Sequence, residues 1–160
     1  MMHLMIRGAF AVALGIAAIP VSRASAQGNP FVGTWTLNVS KSKYNPGPAP
    51  KDQTTVIEMA GAGLKISSSG TGADGSAIKT EFTANFDGKD YPVTGNADYD
   101  AVVLKRVSGH KIDITRKKAG KVVQTGGMEV SKDGKTRTVT VEGRNASGAK
   151  IHNVSVYDKK

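Results

Sequence analysis

The sequence predicts an all-β chain folded as one antiparallel meander, and three observations predict it. Residues 27–160 hold 14 Val, 6 Ile and 13 Thr but only three leucines, Leu37, Leu64 and Leu104. β-Branched side chains suit a pleated surface and lose rotamer freedom in a helix. No part of that span sustains the i, i+3, i+4, i+7 apolar spacing of a helix face. Turn signals recur instead at short intervals, which is the punctuation of hairpin-linked strands.

Ahead of the strands, residues 1–26 read as a signal peptide. Arg7 supplies a positive start, Gly8 to Val21 is an apolar run of 14 residues, and Ala24-Ser25-Ala26 places small residues at the cleavage positions. As a helix that run rises about 21 Å, short of a hydrocarbon core of roughly 30 Å, so a removed leader fits better than an anchor. The expectation is an exported protein, periplasmic or secreted, with one mature domain over 27–160. Removing the leader takes Arg7 and Arg23 with it, leaving 20 basic residues against 13 acidic. The chain has no cysteine, which excludes a disulfide scaffold, a thiolate zinc site, a thiol nucleophile and a lipid-modified cysteine.

The first strand is expected across Asn29-Pro30-Phe31-Val32-Gly33-Thr34-Trp35-Thr36-Leu37-Asn38, and Asn45-Pro46-Gly47-Pro48 makes a rigid first corner. Successive turns follow at Gly61-Ala62-Gly63, Asp74-Gly75, Asp87-Gly88, Gly95-Asn96, Ser108-Gly109, Ala119-Gly120, Asp133-Gly134 and Ser147-Gly148. Asp-Gly and its relatives reach positive φ cheaply, as tight hairpins require. Nine turns separate about ten short strands, the pattern of a meandering sandwich or barrel, and the expected architecture is a single up-and-down β-barrel of about 8–10 strands. Between turns the alternation is clean. Over Ile78–Phe86, Ile, Phe, Ala and Phe share one face while Lys, Glu, Thr and Asn share the other. His110–Arg116 and Arg137–Glu142 repeat the pattern. A membrane barrel would need aromatic girdles around an apolar outside; with aromatics at 6% and charges opposite each apolar face, the apolar faces belong inside.

Phe31-x-Gly33-x-Trp35 opening the first strand of such a chain resembles the start shared by the calycin superfamily, which includes lipocalins and fatty-acid-binding proteins. The remainder is similar to small exported bacterial proteins described as lipocalin-like. The resemblance implies that Trp35 plugs one end of the barrel, that Gly33 lets the chain pass a neighbouring backbone, and that a late-strand arginine, Arg137 or Arg144, lies across the indole. Two features of fatty-acid-binding proteins are missing. Nothing between Lys41 and Lys51 supplies their two helices, and their Arg-x-Tyr carboxylate clamp reads Ser155-Val156-Tyr157 here. Fatty-acid binding is therefore not implied.

The interior is expected to carry the function. If Ile78, Phe82 and Phe86 face inward, then by period so do Val122, Gln124, Met128 and Val130. Arg137 shares a face with Val139 and Val141, and an inward guanidinium beside apolar walls would anchor an acidic headgroup. Trp35, Ile78, Phe82, Phe86, Gln124, Met128 and Arg137 are thus the candidate ligand-lining set. With few leucines and eight mature aromatics, side chains do not obviously fill a ten-stranded barrel, so a cavity is expected.

Catalytic constellations are lacking. His110 and His152 have no acid at ligand spacing, Ser67-Ser68-Ser69 has no nucleophile-elbow context, and no phosphate-cradling or dinucleotide motif occurs. Asp98-Tyr99-Asp100 puts two carboxylates on one face of an expected strand but lacks the further oxygens of a calcium loop. No metal, cofactor or enzymatic activity is expected. Basic residues at Lys105, Arg106, Arg116, Lys117, Lys118, Lys121, Lys132, Lys135 and Arg144 fall in the second half, without the interleaved aromatics a nucleic-acid interface wants. The leading expectation is a monomeric exported barrel that binds a small apolar or amphipathic ligand. The alternative is an envelope protein with a filled core, whose basic face meets anionic polymers or lipid headgroups.

Overall fold

A computed structural model describes residues 28–160; the expected leader lies outside them. Eleven strands follow one another: β1 (Gly33–Leu37), β2 (Lys43–Asn45), β3 (Asp52–Ala60), β4 (Gly63–Thr71), β5 (Ala77–Ala84), β6 (Tyr91–Thr94), β7 (Ala101–Ser108), β8 (Lys111–Lys118), β9 (Lys121–Val130), β10 (Thr136–Arg144) and β11 (Lys150–Lys159). All nine turn signals fall between consecutive strands from β2 onward. Each strand from β3 to β10 pairs antiparallel with the next, and β1 pairs with both β3 and β11. Ten strands therefore close a meander barrel, and the sandwich alternative is eliminated. No α-helix occurs among the described residues.

The eleventh strand is β2, and its origin is local. After Leu37 the chain makes one 3-10 turn, Val39–Lys41, held by the Asn38 side chain, whose Oδ1 accepts from the Lys41 amide at 3.1 Å. The same side chain donates to Asp158 at 2.7 Å, and Ser42 Oγ accepts from the Val156 amide at 2.9 Å. These contacts return the chain to β11, where Tyr44 pairs with Asn153. β1 and β2 thus lie end to end along one strand, a break the sequence pattern does not reveal.

Alternation holds along most strands, with burial falling on Thr80 and Ala84 of β5, Val102 and Leu104 of β7, and Ile112 and Ile114 of β8. It fails at one predicted position. Arg116 pairs with Gln124, but Lys117 pairs with Val122, so Val123 is an extra residue in β9. This bulge reverses the parity. Gln124, Met128 and Val130 stay inside, while Val122 faces outward and is 56% exposed.

Phe31, Trp35, Ile57, Leu64, Leu104 and Ile112 are fully buried and fill one end of the barrel. Trp35 Nε1–H donates to the Phe31 carbonyl at 2.9 Å, so the indole is satisfied without water. Gly33 has φ +139°, and a Cβ there would meet Lys159 Cε at 2.7 Å. The close neighbour is a side chain rather than the backbone expected from the sequence.

β9 and β10 approach closely at Gly126, where an added Cβ would run into the Thr140 carbonyl oxygen, whereas at Gly127 it would sit 3.3 Å from the Ile112 carbonyl. Backbone cannot yield as a side-chain tip can. Gly126→Ala is expected to lower stability by about 2 kcal/mol more than Gly127→Ala, read as the difference between their urea unfolding free energies.

Candidate functional site

Above the filled end, the barrel interior holds a cavity of about 340 Å³ that is partly open to solvent. Its volume lies at the low end of the range for small-molecule sites. The wall runs from Arg137, Met128 and Tyr157 beside the Trp35 layer up to Asn96, Asp98 and Pro50. Of the seven residues expected to line the interior, Ile78, Phe82, Gln124, Met128 and Arg137 border this cavity. Trp35 lies beneath it in the filled end, and Phe86, past the end of β5, packs against the core with the Arg106 guanidinium 4.3 Å from its ring centre. The cavity also bears on the envelope alternative, since the core is not filled as that reading requires.

Arg137 comes from the start of β10, directly across from Tyr157 of β11. Its guanidinium carbon lies 4.1 Å from the Tyr157 ring centre and 5.6 Å from that of Trp35. This settles which arginine covers the indole. Arg144 lies at the far end of β10 and donates to the Gly148 carbonyl. Lys159 Nζ adds a second cation 5.1 Å from the indole. Arg137 is 3% exposed; Nη1 lies 3.4 Å from Met128 Sδ, while Nε and Nη2 have no hydrogen-bond partner. Burial lowers its pKa to about 10, so it remains a cation at neutral pH.

Sequence reasoning placed Arg116 in the basic surface. Instead it is half-buried, donates to Gln124 Oε1 at 3.0 Å, lies 4.4 Å from the Tyr99 ring centre and borders the cavity. The signal was its parity with Ile112 and Ile114. Gln124 in turn donates to the Arg144 carbonyl at 3.0 Å. Further polar lining comes from Tyr157, donating to Gln53 Oε1 at 3.1 Å, and from Tyr44, whose hydroxyl lies 2.7 Å from Ser155 Oγ. Tyr44 reaches the barrel only because β2 runs along β11, so nothing in the sequence could have nominated it.

The acidic pair is also rearranged. Asp98 and Asp100 lie in the β6–β7 connection, not on a strand. Asp98 Oδ1 accepts from the Ala146 amide at 2.8 Å, while the Asp100 carboxylate accepts from Ala119 at 3.1 Å, each steadying a different hairpin. His110 occupies the β7–β8 turn, and His152 faces Glu142 at 3.7 Å on the outside. Among the described residues no group of three or more His, Asp or Glu is placed to hold a metal ion.

No family model matches the chain, and no curated protein matches it. Among solved structures, zebrafish ileal bile acid-binding protein complexed with cholic acid is similar, with a TM-score of 0.50 and 15% identity over 82% of this chain and 99% of that one. The fold is calycin-like. The likeness is to a ten-stranded barrel of that group and not to lipocalins in particular. Between β1 and β3 this barrel carries the short 3-10 turn and β2 and no helical pair, in keeping with the stretch from Lys41 to Lys51.

Burial raises the Tyr44 pKa from 10.0 to about 12, and that of Tyr157 upward as well. An unfolded chain would release these protons near pH 10 while the folded one retains them, so the free energy of unfolding falls as pH rises. Stability is expected to fall between pH 10 and about 12, and Tyr44→Phe to flatten that fall. Urea midpoints across the alkaline range check it.

Proposed function

We propose that this chain is an exported, non-enzymatic binding protein that holds one small amphipathic molecule inside its barrel. The carrying observation is the partly open cavity of the barrel, whose wall mixes Ile66, Ile78, Phe82 and Ile114 with Gln124, Arg116, Ser155 and Tyr157. An apolar wall supplies non-directional affinity, and a few convergent polar groups fix orientation. The similarity in fold to a bile acid-binding protein solved in complex with cholic acid supports the reading. The leader pattern over 1–26 supports export.

Ligand retained on purification from the native host would be seen by native mass spectrometry as a defined mass adduct; a consistently unliganded species that also refuses probes would overturn the proposal. In vitro, N-phenylnaphthylamine is a neutral apolar fluorophore whose emission rises on desolvation. Val139→Phe adds a ring to the cavity wall and is expected to weaken its binding by at least ~10-fold, about 1.4 kcal/mol. Circular dichroism should show the β-sheet spectrum retained. Unchanged affinity would place the probe elsewhere.

A further inference from the structure

We propose that the outside of the filled end, opposite the cavity mouth, is a docking face for an anionic lipid bilayer. A groove of about 630 Å³ crosses this end, lined by Pro30, Val32, Met59, His110, Lys132 and Lys159. It shares no residue with the cavity. Basic charge is concentrated around it. Residues 105–110, 131–135 and 158–160 hold six basic side chains, Lys105, Arg106, Lys132, Lys135, Lys159 and Lys160, against two acidic ones. All six are exposed, and none forms an ion pair among the described residues. Both acids are already engaged. Asp133 accepts from Ser131 Oγ at 2.6 Å and from the Lys135 amide at 3.0 Å, while Asp158 accepts from Asn38 and lies 3.6 Å from Lys41. Glu129, the acid of neighbouring β9, stands opposite Lys111 across the β8–β9 ladder. These three short segments thus carry a surplus of four positive charges, where the whole of 27–160 has seven.

An acidic polymer would match the lysines but not the apolar residues set among them. Met59 and Val107 are 53% and 55% exposed, and Met59 forms the apolar side of the groove with Pro30 and Val32. A bilayer takes both kinds of group: its headgroups attract the cations, and its interface accepts apolar side chains. Chain connectivity points the same way. Residues 1–27 join the barrel at Gly28, which borders the groove, so a leader held in a membrane during export brings this end to the bilayer. The mouth then faces away, open to ligand. That orientation rests on the export reading; the charge and exposure of the face do not. At the mouth, Lys51, Lys117, Lys118, Lys121, Arg144 and Lys150 stand against Asp52, Asp74, Asp98 and Asp100, a smaller surplus that supplies a control.

The test uses residues 27–160, which contain the whole closed barrel, because the apolar run of 1–26 would itself enter a bilayer. Protein is sedimented with sucrose-loaded vesicles of phosphatidylcholine, alone or with about 30% phosphatidylglycerol. Wild-type binding is expected to be at least ~10-fold stronger to the anionic vesicles, and the excess to vanish in ~0.5 M salt. Lys132→Glu combined with Lys135→Glu should remove that excess. Lys118→Glu combined with Lys121→Glu makes the same charge change at the mouth and should leave most of it. Met59→Ser should weaken vesicle binding ~3-fold without altering binding to dextran sulfate. Circular dichroism should show each variant keeping the β-sheet spectrum. Equal wild-type binding to the two vesicle types, or to neither, would overturn the docking face and leave the cavity's reading standing. Loss of binding in the mouth pair but not in the Lys132 and Lys135 pair would refute its placement. A wild-type protein that holds dextran sulfate but ignores anionic vesicles would refute the bilayer in favour of an acidic polymer.

Discussion

The stack of Trp35 against Arg137, with Tyr157 on the guanidinium's near side, ties the two ends of the chain together. Trp35 belongs to the first strand, Arg137 and Tyr157 to the last two, and their contacts span the seam where β1 meets β11. A meander has two edges until that seam forms, and an open edge is a template for association with other chains. Because the indole nitrogen is satisfied by Phe31, the seam closes around a dry aromatic. The filled end therefore does two jobs: it removes the edges, and it forms the floor on which the cavity rests.

Most of the fold is legible in the sequence because it is written locally. Each hairpin turn carries its own Gly, Asn or Asp signature, and each strand its own alternation, so neither depends on knowing the partner strand. The failures occur where pairing between distant segments decides. The bulge at Val123 comes from register with β8, which leaves no mark on β9 itself, and it turns Val122 outward. The break between β1 and β2 depends on Asn38 and Ser42 finding Asp158 and Val156. Asp98 and Asp100 share strand-like spacing yet cap turns that belong to other hairpins.

The site divides along the same line. Ile78, Phe82, Gln124, Met128 and Arg137 are readable from parity alone. Arg116 carries the same signal, but it sits in a run with Lys117 and Lys118 that looks like a solvated face. Tyr44 and Gln53 enter the cavity through tertiary hydrogen bonds to Ser155 and Tyr157, and no local pattern announces them.

The character of the interior follows from a shortage of large apolar side chains. With only three leucines among residues 27–160, the wall above Trp35 is completed by Gln53, Thr55, Ser68, Thr80 and Ser155. Short hydroxyl side chains occupy little volume, so they leave space that leucines would have filled. They also satisfy one another, as Thr55 does with Ser68 at 3.1 Å, which lowers the cost of a polar wall. Arg137 differs from all of these in having donors without acceptors. A barrel selected for stability alone would do better with an apolar residue over the indole, since replacing a buried charge by a well-packed hydrophobe is commonly neutral or stabilising. Cation–π contact explains why the guanidinium is tolerated in this position.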